Sequence, residues 1–173
     1  MFRLRLLRLV AFWLLRPPLG FLDTHTFALR AWPLTDIDVS RMMAHAYTRA
    51  FAFGRYQIML ASEFRGAVVK KRWFPMVVAD ITYLYKSVAL LEAFDVRSRI
   101  VAWDDKRFYV EQEIVVRGEI RARCIAEGLV GSGKTFLNPN EVFRELGVLR
   151  ESPEIPVEIA AWIDNRKPRP RAA

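Results

Sequence analysis

The chain of 173 residues is 53% hydrophobic and 13% aromatic, which predicts a single folded domain and excludes a disordered chain. Its only cysteine, Cys124, rules out an intramolecular disulfide, and two histidines are too few for a Cys/His zinc site. A net charge of +8 favours anionic partners, but no RNA- or DNA-reading motif accompanies it, so no nucleic acid partner is predicted.

The N-terminal segment, residues 1–16, combines four arginines with an uncharged apolar run from Leu9 to Leu15. That run is too short to cross a bilayer, which needs about 20 residues, and Pro17 and Pro18 follow where a secretory cleavage site would need small residues. In a helix most of the arginines share one side, as in a helix that lies in a membrane interface. A terminal helix packed on the domain or on a dimer partner explains the pattern equally well. We therefore predict a cytoplasmic protein, either free or in peripheral membrane contact through residues 1–16.

A strand, an acidic loop and a long helix come next. Alternation over residues 24–33 predicts a strand with Phe27, Leu29 and Ala31 on one face. Asp36 and Asp38 follow in the loop, ahead of Ser40, a candidate N-cap. The helix is predicted to run to about Glu63 and to end near Gly66. Because it is apolar on most sides it must be buried, and its unpaired first N–H groups would stabilise negative charge.

Residues 71–135 are predicted to form about four antiparallel strands, with turns at residues 104–107 and 117–119. In the second of these strands one face carries alternating small and apolar side chains: Phe94, Val96, Ser98, Ile100 and Ala102. Two short helices, in residues 138–147 and 156–167, complete the chain. The order predicts an α+β fold in which an antiparallel sheet wraps one long helix.

This pattern also predicts the domain limits. Residues 1–22 form an N-terminal amphipathic or hydrophobic helix, residues 23–150 the α+β domain, and residues 151–173 a C-terminal helix with a basic tail.

Residues 128–135, GLVGSGKT, match the phosphate-binding pattern G-x-x-x-x-G-K-[ST] in full. A phosphate loop must open a helix, yet Thr135 is followed by Phe-Leu-Asn-Pro, and the residue before Pro139 is disfavoured in helical geometry. We therefore predict the glycine-rich end of an edge strand at this position, and no nucleotide site.

Two sequence blocks resemble a known family. Asp36-Ile37-Asp38, followed by Met43 and Ala46, resembles the D-x-D-x-x-x-H-[MV]-N-N-A start of the central helix in hotdog-fold thioesterases of the hydroxybenzoyl-CoA thioesterase branch. Residues 90–99, with 103–105 and 108–109, are similar to a thioesterase-like subgroup that often carries an N-terminal hydrophobic segment. The resemblance covers roughly residues 27–123 and implies the hotdog fold.

The resemblance implies an acyl-CoA thioesterase of lipid metabolism. It implies a homodimer or dimer of dimers, whose sheets join edge to edge with two acyl-CoA sites at the interface. Asp38 would act as nucleophile or general base, and the backbone N–H groups of Ala44 and His45 would bind the thioester oxygen. The CoA thioester is the substrate, and neither a cofactor nor a metal is implied. Basic side chains are candidates to meet the CoA phosphates: Lys70, Lys71, Arg72, Lys86, Arg97 and Arg99.

The chain departs from the family pattern at the start of the helix. Met42 replaces the usual histidine, Ala44 and His45 replace two asparagines, and Thr48 replaces a tyrosine. His45 is a candidate to donate or shuttle a proton in their place. Asp36 is predicted to end the strand or cap the turn, so Asp38 is the one carboxylate assigned to chemistry. These departures motivate a second hypothesis, a non-catalytic acyl- or lipid-binding hotdog protein at a membrane.

Overall fold

The computed structural model describes residues 19–33, 35–38, 40–148 and 151–166, together with Leu7, Val10 and Ala11. The rest of the predicted N-terminal helix and the basic tail lie outside these residues, so the membrane contact of residues 1–16 stays a prediction. In the described part of the chain, no helix is long and apolar enough to cross a membrane.

Six described strands form one antiparallel sheet. Five of them follow the order β1-β3-β4-β5-β2, and the short β6 pairs with the end of β5. The strands are β1 His25–Arg30, β2 Trp73–Leu84, β3 Ala93–Trp103, β4 Phe108–Val116, β5 Glu119–Ser132 and β6 Thr135–Leu137. The helices are α1 Ala44–Ala61, α2 Phe64–Lys71, α3 Pro139–Glu145 and α4 Val157–Arg166. The predicted α+β fold, a sheet around one long helix, is confirmed.

The predicted ends of the long helix need correction. The N-cap of α1 is Met43, which makes no side-chain cap, and Ser40 lies outside the helix. At the other end α1 stops at Ala61, because the Ser62 hydroxyl donates to the Ile58 carbonyl at 2.6 Å and accepts the Phe64 N–H at 3.3 Å. A second helix starts there, so Gly66 lies within α2 and does not end α1.

A row of polar and sulfur-bearing side chains crosses the inner face of the sheet beneath α1. Its members are paired in register across five strands: His25, Ser98, Gln112, Cys124 and Thr82. The Gln112 Nε2 donates to the Phe51 carbonyl of α1 and to the Ser98 hydroxyl, both at 2.8 Å. This polar row therefore hydrogen-bonds the sheet to the helix backbone. Burial raises the pKa of the Cys124 thiol.

Gly54 lets α1 approach the polar row closely. A Cβ atom at this position would lie 2.7 Å from the Gln112 Nε2 and 2.9 Å from a methyl carbon of Val96, and it would also collide with the Ser98 hydroxyl. Any larger residue must push the helix off the sheet or break the Gln112 hydrogen bonds.

The outer face of the sheet carries the C-terminal helix. Ile159 of α4 packs in a second cluster with Ala102, Tyr109 and Ile125. Ala102 was predicted to share a face with Ile100, but the register of β3 against β4 shifts between these two residues. The extra residue at this bulge turns Ala102 to the opposite face.

The glycine-rich stretch is the end of a strand, β5, followed by a tight turn into β6. The predicted edge position is wrong, because β5 pairs with β2 on one side and with β4 and β6 on the other. Gly133, with φ +62°, forms the turn between β5 and β6, and the Thr135 hydroxyl donates to the Ser132 carbonyl at 3.0 Å. The next helix starts only at Pro139, capped by Asn138. Position 131 has no room for a side chain, because the Phe74 ring of β2 lies where a Cβ atom would project. The phosphate-loop pattern therefore arises from turn and packing requirements.

Two glycine substitutions test the close approach of α1. We expect Gly54→Ala to lower the free energy of unfolding by about 1–2 kcal/mol, because overpacking outweighs the gain in helix propensity. Gly66→Ala in α2 is the matched control. Its Cβ would meet nothing within 4 Å, so this variant should be about 0.5–1 kcal/mol more stable than wild type. Urea unfolding followed by tryptophan fluorescence measures both, and a stabilised Gly54→Ala variant would contradict the packing.

Candidate functional site

Asp36 is a structural residue of the loop between β1 and α1. Its side chain is 2% exposed and accepts the Trp32 N–H at 2.9 Å. The Arg49 guanidinium of α1 lies 3.1 Å from the other carboxylate oxygen and also donates to the Thr35 carbonyl. Asp36 thus ties the loop to the helix, in agreement with its predicted turn-capping role.

Asp38 lies at the surface of the same loop. Its backbone N–H donates to the Arg41 carbonyl at 3.2 Å, and an antiparallel bridge joins the neighbouring Ile37 to Met42. Among the described residues, no hydrogen bond or ion pair engages its carboxylate. The side chain lines a shallow cleft of about 300 Å³ together with Ser40, Met43 and others of this loop. The Asp38 carboxylate is therefore exposed and has no partner among the described residues, whereas the Asp36 carboxylate is buried and paired.

The first turn of α1 presents free backbone donors beside that cleft. Ala44 and His45 are exposed and are the first two helical residues, so no preceding turn supplies acceptors for their N–H groups. Met43 offers no side-chain cap, and the first turn holds no acidic residue. The positive end of the helix dipole is thus uncompensated next to the Asp38 loop, where an anion would be stabilised.

The connection between β2 and β3 holds this loop in place. The Val88 carbonyl accepts the Met42 N–H at 2.9 Å, and the Val88 N–H donates to the Tyr47 hydroxyl at 3.0 Å. The Leu90 N–H donates to the Ser40 carbonyl at 3.2 Å. Burial raises the pKa of Tyr47, so this phenol stays neutral. The helix start and the loop are therefore set by neighbours from two other segments.

The predicted CoA-binding side chains do not lie together in one protomer. Lys86 follows β2 at the end of the sheet near Asp38, where it pairs with Glu119 at 3.2 Å. Three of the others lie at the opposite end of β2, about 40 Å away along its twelve residues: Lys70, Lys71 and Arg72. The two groups are therefore too far apart to form one cluster within the chain.

Some of these basic groups already have partners. Lys71 pairs with Glu145, and its ammonium lies 4.9 Å from the centre of the Trp73 ring. Arg99 pairs with Glu111 at 2.6 Å. Arg97 lines a small cleft next to Arg99, away from the helix start. The contribution of each to CoA binding stays a prediction.

Sequence reasoning missed two arginines beside the site. Arg41 donates to the Ser87 hydroxyl, and the Arg121 Nη1 donates to the Ser87 carbonyl at 3.4 Å. Arg41 follows Ser40 within the acidic loop, so its position in the sequence was a usable signal. Arg121 reaches the site only because the Tyr85 N–H pairs with its carbonyl. With Lys86, these two arginines form a basic cluster. Glu119 pairs with Lys86 at 3.2 Å and with Arg121 at 3.1 Å, which leaves the cluster with a net positive charge that can meet a phosphate.

An apolar pocket of about 200 Å³ lies between α1 and the inner face of the sheet, below the edge formed by β2. Its lining includes Ala52, Met59, Val77, Phe108, Gly128 and Val130. Arg55 also lines it and donates to the Gln112 Oε1 at 2.8 Å. Sequence reasoning did not find this pocket, because it is formed by segments distant in the chain. Within the described residues, no group of three or more His, Cys, Asp or Glu side chains could hold a metal.

A sheet wrapped around one helix, with a free carboxylate beside the helix start, is the architecture expected of a hotdog thioesterase-like protein. Residues 32–163 match the family model described as the thioesterase-like superfamily, and the chain belongs to that family. The family and the hotdog fold predicted from the sequence are thereby confirmed. Assignment to the hydroxybenzoyl-CoA thioesterase branch stays a prediction.

The chain is also similar to known proteins in sequence and, for solved structures, in fold. Protein THEM6 from Xenopus laevis is 36% identical over 91 residues, which are 51% of this chain and only 42% of the frog protein. The structure of YbaW, a probable thioesterase from Escherichia coli, has a TM-score of 0.64 at 14% identity, over 71% of this chain and 96% of that one. Slr0204, a 1,4-dihydroxy-2-naphthoyl-CoA thioesterase from Synechocystis, has a TM-score of 0.58 at 14% identity, over 72% and 95%.

Because Asp36 is buried and paired and Asp38 is exposed, we expect their substitution to change the free energy of unfolding by different amounts. Asp36→Ala should lower the free energy of unfolding by about 2 kcal/mol, because Arg49 and the Trp32 N–H lose a buried partner. Asp38→Ala should change it by no more than about 0.5 kcal/mol, since its carboxylate is exposed. Urea denaturation of both variants decides, and equal losses would mean that Asp38 is also structural.

Proposed function

We propose that the protein is an acyl-CoA thioesterase, with Asp38 as the reacting carboxylate and the start of α1 as the oxyanion site. One observation carries this proposal: an exposed, unoccupied carboxylate lies in the loop that leads into an uncapped helix N-terminus. Membership of the thioesterase-like superfamily supports the reaction class. The name of the Synechocystis enzyme supports a CoA ester as the kind of substrate.

In the proposed reaction, the thioester oxygen accepts hydrogen bonds from the backbone N–H groups of Ala44 and His45. These fixed donors stabilise the negative charge that develops when the carbonyl carbon becomes tetrahedral. As general base, Asp38 removes a proton from water while the water oxygen bonds to that carbon. The C–S bond then breaks, and the coenzyme A thiolate leaves and is protonated, with His45 as the proposed proton donor. As nucleophile, Asp38 would instead form a mixed anhydride that water then hydrolyses.

The substitutions at the helix start are compatible with this chemistry. The family's histidine and two asparagines are replaced by Met42, Ala44 and His45. The proposed oxyanion donors are backbone groups, so they remain when the asparagine side chains are absent. The second hypothesis, an acyl- or lipid-binding protein without turnover, differs in one outcome: a CoA ester would bind and would not be hydrolysed.

We further propose a homodimer in which the β2 edges of two copies pair. In the described sheet β2 pairs with β5 on one side only, and its exposed side chains are largely apolar: Phe74, Met76, Val77, Val78, Tyr83 and Leu84. Such an edge invites another strand. A two-fold axis pairs two identical strands antiparallel, so the start of β2 in one copy meets its end in the other.

This dimer would complete the site for coenzyme A. Lys70 and Arg72, which precede β2, would then lie near the end of β2 in the other copy. That end carries the basic cluster of Arg41, Lys86 and Arg121. Basic groups from both copies would thus be available for the CoA phosphates, consistent with the net charge of +8.

Removing the charge of Asp38 tests the mechanism. Asp38→Asn should lower kcat for acyl-CoA hydrolysis about 100-fold or more while leaving the dimer folded, because the amide can neither attack nor remove a proton. Asp105→Asn, in the exposed turn between β3 and β4, is the matched control and should keep full activity. Release of free coenzyme A is measured with a thiol reagent. Wild-type binding without turnover would favour the non-catalytic hypothesis, and an active Asp38→Asn variant would remove Asp38 from the mechanism.

A charge at the middle of β2 tests the dimer. Val78→Lys should give a monomer with strongly reduced hydrolysis, because a lysine at the edge opposes strand pairing. Val157→Lys, at an 85% exposed valine of α4, should remain dimeric and active. Light scattering coupled to size-exclusion chromatography gives the mass of each. A monomeric wild-type protein would refute the arrangement.

A further inference from the structure

Arg55 is held in one orientation by the polar row. Gln112 is fully buried, and its two amide N–H groups are already committed to the Phe51 carbonyl and the Ser98 hydroxyl. Its Oε1 must therefore point the other way, where it accepts one hydrogen bond from the Arg55 Nη1 at 2.8 Å. The guanidinium is thus positioned at the pocket by a chain of hydrogen bonds that reaches the helix backbone.

Arg55 has no carboxylate partner among the described residues, unlike several arginines of the sheet and of α4. Arg99 and Arg123 pair with Glu111, and Arg166 pairs with Glu127. Among the described residues, no Asp or Glu oxygen lies within ion-pair distance of Arg55. A guanidinium has five N–H donors. One of them donates to the Gln112 Oε1, and the Cys124 thiol lies near the guanidinium.

The remaining donors border a pocket that is otherwise apolar. A cation at such a surface without a counter-charge is unfavourable, and an anionic oxygen from a ligand would relieve it. The pocket volume of about 200 Å³ limits that ligand. An apolar cavity of about 150 Å³ holds one benzene molecule, so this pocket has room for roughly six carbon atoms and a small polar group.

The position of Arg55 on α1 decides which of the two active sites of the proposed dimer the pocket can serve. Arg55 follows Ala44 by eleven positions in α1, about 16 Å along the helix axis, too far for a short acyl group bound at the start of the same helix. The pocket also contacts Pro75, Met76 and Val77 near the start of β2. In the proposed dimer, that part of β2 faces the end of β2 in the other copy, beside the other helix start.

We propose that this pocket holds the acyl group of the substrate and that Arg55 binds a carboxylate at its far end. The inference rests on the proposed thioesterase function and on the proposed dimer, which brings the pocket of one copy to the helix start of the other. It assigns the substrate class as compact acyl-CoA thioesters with a terminal carboxylate, about six carbons long. Gln112 is the positioning residue for Arg55.

Two CoA esters of equal length test this assignment. Adipoyl-CoA and hexanoyl-CoA both carry six acyl carbons and differ in the terminal carboxylate. Wild-type protein should hydrolyse adipoyl-CoA with a kcat/KM about tenfold or more above that of hexanoyl-CoA, the size of one charge-assisted hydrogen bond. Arg55→Gln should lose this preference, chiefly through a raised KM for adipoyl-CoA. Lys134→Gln, which removes a charge from the exposed β5–β6 turn, should retain the preference.

The possible outcomes distinguish failure of the proposal for the acyl pocket from failure of the thioesterase proposal. If wild type hydrolyses both esters without preferring adipoyl-CoA, or if Arg55→Gln keeps the preference, Arg55 does not bind the acyl group and the thioesterase proposal stands. If wild type hydrolyses neither, the thioesterase proposal fails, and calorimetric binding of the two esters decides the pocket. Tenfold tighter binding of adipoyl-CoA that is lost in Arg55→Gln supports it, and equal binding overturns it. Should Arg55→Gln not fold, the wild-type comparison alone decides.

Discussion

The hydrogen bonds of Gln112 fix the central helix on the sheet, and the other functional features depend on that placement. A buried amide on β4 binds the Phe51 carbonyl in the middle of α1, and Gly54 allows the helix to come close enough for this contact. Leaving that amide buried and unpaired would be costly, so the helix has one depth and one register over the sheet. From this anchor, the start of α1 projects at one end of the sheet and Arg55 faces the pocket.

The two loop aspartates show how the site is kept apart from the scaffold. Asp36 is buried and occupied by Arg49, which secures the loop to the helix. Asp38, two residues later, points outward with its carboxylate unengaged by described groups. A fixed scaffold residue next to an exposed, unpaired one is an arrangement that would let the loop carry the proposed chemistry without losing its shape. The departures from the family pattern affect side chains at the helix start, whereas the proposed oxyanion donors belong to the backbone.

Local sequence patterns predicted most of the fold. The features that they missed depend on contacts between segments that are distant in the chain. Alternation located the strands because this signal is contained in a few neighbouring residues. The D-x-D loop led in the same way to the prediction for Asp38. The face of Ala102 was predicted wrongly, since a bulge between two strands is set by their pairing. Arg55 and Gln112 are 57 residues apart, so neither could be linked to the other from sequence. Ser40 looked like a cap by residue type, but the bridge between Ile37 and Met42 delays the helix until Ala44.

The claim that the start of α1 is the active centre is tested most directly by a crystal structure with a non-hydrolysable thioester analogue of coenzyme A. The account predicts that the analogue's carbonyl oxygen lies within hydrogen-bond distance of the Ala44 or His45 backbone N–H. The adjacent carbon should face the Asp38 carboxylate. An analogue whose thioester group is bound elsewhere, for example in the cleft of about 550 Å³ that includes Arg99 and Ile159 on the outer face, would contradict it.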